Sequence, residues 1–80
     1  MGRKCEVCMY RLLLALDFLN EVARYVERGD LDNALRTIPY FTHEVESMSE
    51  EGCMREGTAR DILIHADHME RMLREGTKEA

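Results

Sequence analysis

Arg28-Gly29-Asp30-Leu31-Asp32-Asn33-Ala34-Leu35 decides how this chain folds. Gly29 suits the left-handed residue that closes a helix, and Arg28 puts a cation in the last turn, where the helix dipole favours it. Asp30 follows as an N-cap whose carboxylate accepts from the free amides of a new first turn. One apolar-periodic segment therefore stops here and another starts. A connection this short makes the two helices antiparallel neighbours.

Upstream, Cys5, Cys8, Leu12, Ala15, Leu19, Val22 and Val26 recur at unbroken 3-4 spacing, one face of an α-helix close to a coiled-coil seam. Leu14, Phe18 and Tyr25 form a second stripe well away from the first. A helix apolar on two sides is buried on two sides. The second stripe is expected to meet the third segment of the chain, a second copy, or another partner.

Downstream, Leu31, Ala34, Ile38, Phe41, Val45, Met48 and Gly52 keep the same spacing in phase across Pro39, so a kink rather than a break is expected there. Matching the stripes outward from the turn pairs Val26 with Leu31, Leu19 with Ile38, Leu12 with Val45 and Cys5 with Gly52. Cys53 then falls beside Cys5 and Cys8. In the third segment Thr58-Ala59-Arg60-Asp61 reads as a capping box. Ala59, Ile62, Ala66, Met69 and Leu73 make the stripe, and Gly76 the stop. The expectation is one all-α domain over residues 1–80. It has helices at about 5–28, about 31–51 kinked at Pro39, and about 59–75, a hairpin plus a third helix that dimerises into a larger bundle.

The 80 residues sit near the lower limit for a single core, where a staple, metal or second subunit is commonly needed. Net charge is −5, with the acidity concentrated over residues 30–51. No basic stripe tracks a phosphate backbone, and no apolar run is long enough to span a membrane. Asp17 interrupts the Leu-rich stretch that would otherwise read as a secretory core, so the chain is expected to be cytoplasmic with its three thiols reduced.

Two clusters carry chemistry. Cys5, Cys8 and Cys53 gather at one end of the bundle. They fit three readings: small apolar residues with no cofactor, a disulfide from Cys53 to Cys5 or Cys8, or zinc with a fourth ligand from elsewhere. Asp61, His65 and His68 share one helix face at i, i+4 and i+7 and would need a further ligand to hold a divalent metal.

Arg60-Asp61-Ile62-Leu63-Ile64-His65 resembles the motif of the HEPN superfamily of small α-helical domains, many of them RNases of toxin or antiviral systems. The Gly29-Asp30 turn is also similar to the one preceding their second helix, and equally to tetratricopeptide-type hairpins and other small archaeal helical families. The HEPN resemblance implies metal-independent RNA cleavage. His65 would move a proton at the 2′-hydroxyl and Arg60 would stabilise the phosphorane, in a site assembled across a dimer. The residues read without the resemblance favour a non-enzymatic, acidic protein–protein interaction module, homodimeric through Leu14, Phe18 and Tyr25.

Overall fold

The computed structural model describes residues 2–79, with side chains described over 4–76. It is all-α: α1 Gly2–Glu27, α2 Leu31–Glu50 and α3 Glu56–Glu79, with no strand among the described residues.

Both connections are glycine-closed helix ends. After α1, Gly29 has φ +76°, its amide donates to the Val26 carbonyl (3.0 Å), and the Asp30 amide donates to the Tyr25 carbonyl (2.8 Å). This is a Schellman motif, and it hands the chain directly to the N-cap. The Asp30 side chain accepts from the Asn33 amide at 3.3 Å and from Asn33 Nδ2 at 2.6 Å. After α2, Gly52 at φ +77° repeats the pattern, with Gly52 donating to Ser49 and Cys53 to Met48. Gly52 is thus a turn residue rather than the last member of the α2 stripe. A Cβ at Gly29 would meet open space, so Gly29→Ala tests the backbone alone. Thermal melts should show a loss of about 1–2 kcal/mol for Ala and less for Asn.

Helix α2 lies in the middle. It buries Ala34, Thr37, Ile38, Phe41, Glu44, Val45 and Met48, and α1 and α3 each pack against it. Pro39 sits on the exposed side, and α2 runs through it as one helix with its apolar face in phase. One core cluster joins Ala15, Phe41, Val45, Met48, Ala59 and Ala66; the other joins Val22, Ala34, Ile38 and Leu73. No Cα of α1 comes within 8 Å of one in α3 among the described residues. The molecule measures 49 × 22 × 13 Å with a radius of gyration of 13.9 Å, against about 11.6 Å for a globular chain of this length. The three helices form a bundle flattened towards a single layer.

Helix α3 departs from expectation at both ends. It begins at Glu56, with the Ala59 amide donating to the Arg55 carbonyl (2.9 Å), so Thr58 lies inside the first turn and caps nothing. It passes through Gly76 to Glu79. A Cβ at Gly76 would stand 3.1 Å from Leu31 Cδ1. That glycine marks where α3 crosses the start of α2, which is why it does not act as a stop.

The largest correction concerns α1. Its buried face is Cys8, Arg11, Ala15, Phe18, Val22 and Tyr25, not the stripe containing Cys5, Leu12, Leu19 and Val26. Both sets have 3-4 spacing and share Cys8, Ala15 and Val22. The alternate members slip by one residue, which turns the helix by about half of the ~100° between neighbours. A Cβ at Gly52 would be 3.4 Å from Lys4 Nζ, so Lys4 takes the place expected for Cys5. Phe18 stacks on Tyr40 with ring centroids 5.6 Å apart, and Tyr25 packs on the second cluster. The rotation buries two aromatic rings in place of Leu19 and Val26, the larger apolar gain. Phe18 and Tyr25 are therefore turned to the chain's own core within the hairpin, and Leu14 is half-buried at the edge of the same face.

Candidate functional site

The cysteine end resolves into a disulfide. Cys8 and Cys53 are bonded, with Cα atoms 5.3 Å apart, while Cys5 is a free exposed thiol. The Gly52 turn places Cys53, and the rotated face of α1 selects Cys8 over Cys5. The expectation of three reduced thiols is corrected accordingly. So is a zinc site on all three cysteines, because two of the thiolates such a site needs are consumed by the bond. Among the described residues no group of three or more His, Cys, Asp or Glu is placed to hold a metal ion, Asp61, His65 and His68 included.

Beside the disulfide, Arg11 forks onto Glu51 through Nε (2.8 Å) and Nη2 (3.0 Å), and its Nη1 reaches Glu44 Oε1 at 3.3 Å. The hydrogen bond and charge of Glu51 raise the Arg11 pKa above its already high ordinary value. Desolvation opposes this and Glu44 adds to it. The stabilisation this gives is complete at every pH below the ordinary arginine range and fades only above it, so from the arginine side the fork is constant at working pH. Glu44 is buried, and it depends on this one cation. Arg11→Ala should lower the thermal midpoint more than Arg11→Ala combined with Glu44→Leu, since the double variant leaves no buried carboxylate unpaired. Equal midpoints would count against the fork.

Arg60 and His65 are both exposed on α3, five residues and therefore about 140° apart around the helix. Arg60 lines a groove between α2 and α3; His65 does not. Asp61 is exposed, and Arg60 makes no ion pair with a described residue. The arrangement within one chain does not bring the two groups to a common reacting atom.

What the rotation of α1 leaves uncovered is a second seam. Cys5, Met9, Leu12, Leu16, Leu19, Ala23 and Val26 keep 3-4 spacing over the whole helix, and all seven are exposed. Eight of the eleven large exposed apolar residues found among the described positions lie on α1, so apolar exposure is a property of that helix and not of the surface at large. The C-terminal half of the seam borders a trough of about 460 Å³, where Leu19, Ala23 and Val26 of α1 face Met69, Met72 and Leu73 of α3. This trough is where a closed bundle would carry another helix. The periodicity of α1 contains the seam, but only the register against α2 shows which stripe stays open.

No helix among the described residues is long and apolar enough to cross a membrane. No family model, curated protein or solved structure matches this chain.

Proposed function

We propose that this chain is a small, acidic, non-enzymatic protein–protein interaction module that works as a homodimer through the α1 seam. The observation that carries the reading is the run of seven exposed seam residues from Cys5 to Val26. Helices flattened towards one layer bury one face and need a second layer over the other. The seam is also self-complementary. Antiparallel pairing about a two-fold axis puts Leu16 on Leu16 of the second copy, Leu12 on Leu19, Met9 on Ala23 and Cys5 on Val26. Large residues meet small or equal ones throughout. The second copy's α1 fills the trough, and the pair becomes a larger bundle.

The partner face thus moves from Leu14, Phe18 and Tyr25 to the seam. Within one chain Arg60 and His65 share no groove, so the RNase alternative rests on the sequence resemblance alone. The cytoplasmic placement stays within this proposal. Together with an intramolecular disulfide it is the pattern of hyperthermophile cytosolic proteins.

Cross-linking tests the geometry. In a Cys5→Ser background, chains carrying Met9→Cys are mixed with chains carrying Ala23→Cys and oxidised. The expected product is the mixed 9–23 dimer. Dimers of Met9→Cys chains alone would indicate parallel pairing, and no cross-linked product in any mixture would remove the seam.

A further inference from the structure

On the side of α3 away from the trough, α2 and α3 line a groove of about 780 Å³, and no residue that lines it belongs to the seam. Its floor is apolar: Ala59 is buried, Leu63 half-buried, and Ile64 stands 59% exposed. Its rim is anionic. Glu46 and Glu50 rise from α2 one turn apart, Glu56 and Asp67 from α3, and Arg60 is the one cation among them. Glu46, Glu50 and Glu56 make no ion pair with any described residue, while Asp67 is bound to Arg71 at 3.0 Å. The groove extends from Glu56 to Asp67, eleven residues or about 16 Å, the length of three helical turns.

We propose that this groove binds a cationic amphipathic helix of a partner protein, apolar side chains on Leu63 and Ile64 and lysines or arginines against Glu46, Glu50 and Glu56. An apolar floor gives a helix somewhere to lay its i, i+3, i+4, i+7 face, and unpaired carboxylates on both walls select a basic flank over an acidic one. A small anionic ligand meets the wrong charge. A simple cation would leave Ile64 in water. The groove therefore suits a segment that is apolar and basic together, and it stands independently of the dimer seam.

The test is a fluorescence-anisotropy titration of the full chain with a labelled peptide of leucine and lysine, about 14 residues long, its leucines at 3-4 spacing. Saturable binding is expected. Glu46→Lys combined with Glu50→Lys should weaken it by at least about tenfold. Ile64→Asp should weaken it likewise, and Arg60→Glu should tighten it several-fold. The control Asp17→Lys with Glu21→Lys, the same charge change on the exposed outer side of α1, should shift it by less than about twofold. All six positions changed in the groove and control variants are exposed, so each variant is expected to retain wild-type helicity. Leu16→Glu, which addresses the seam, should leave peptide binding intact. Absence of saturable binding would overturn the proposal. So would equal loss in the α1 control, or equal affinity for a lysine–serine peptide of the same charge.

Discussion

Reducing the Cys8–Cys53 bond should lower the thermal midpoint by about 15–30 °C. The bond closes a loop with a sequence separation of 45, which in the chain-entropy account is worth about 4 kcal/mol. For a domain of this size each kcal/mol moves the midpoint by about 4–8 °C. The effect is large because the reserve is small. An 80-residue chain flattened to one layer, with a buried core of ten apolar residues in the described region, has little besides the Arg11 fork to hold α1 on α2 at that end. Cys8→Ser and Cys53→Ser should each melt like the reduced wild type, whereas Cys5→Ser should melt like the oxidised protein. Circular dichroism melts with and without reductant settle it. A change under about 3 °C, or a Cys5→Ser variant as weak as Cys8→Ser, would show that the stapling cysteine has been misassigned.

Leu16→Glu should abolish self-association while keeping the monomer folded. Leu16 is 51% exposed in one chain, so the new carboxylate is solvated in the monomer and the hairpin loses little. In the proposed antiparallel dimer the same residue meets its own copy on the two-fold axis. Two carboxylates would then be buried face to face without partners, in a place vacated by two leucines. The dimer dissociation constant should rise by at least about a hundredfold, or ~2.7 kcal/mol. Leu14→Ala is the contrasting variant. Leu14 is half-buried on the hairpin side of α1, so its loss should lower the melting midpoint and leave the association constant near wild type. Sedimentation velocity across a concentration series reads both. If Leu14→Ala dissolved the dimer and Leu16→Glu did not, the partner face would lie on the original stripe.

The hairpin was legible because its signals are local: Gly29 must take a positive φ and Asp30 must cap, whatever else the chain does. The approach of Cys53 to the N-terminal part of α1 was legible for the same reason, since it follows from turn position and helix length; that Cys8 and not Cys5 receives it was not. The rotation of α1 was not. Two 3-4 stripes share Cys8, Ala15 and Val22, and periodicity alone has no means to choose between them. The choice is made across the hairpin, by Arg11 reaching Glu44 on α2 and Glu51 at its C-cap, and by Phe18 reaching Tyr40. The signal was present in the sequence as one arginine mid-helix opposite two glutamates seven residues apart, each one position off the expected apolar pair. The same slip decided the pairing of Cys8 and exposed the seam. At α3, Thr58 offered a better cap than Arg55, and tertiary packing of Gly76 against Leu31 overrode its local meaning as a stop.

The claim that the open α1 seam exists to meet a second copy is tested most directly by the mass of the oxidised wild-type chain in solution, measured by light scattering at micromolar to hundred-micromolar concentration. The expected mass is twice the 9.3 kDa of one chain, falling to a single chain for Leu16→Glu at the same concentrations. A fully helical wild type that stays at 9.3 kDa throughout would contradict it.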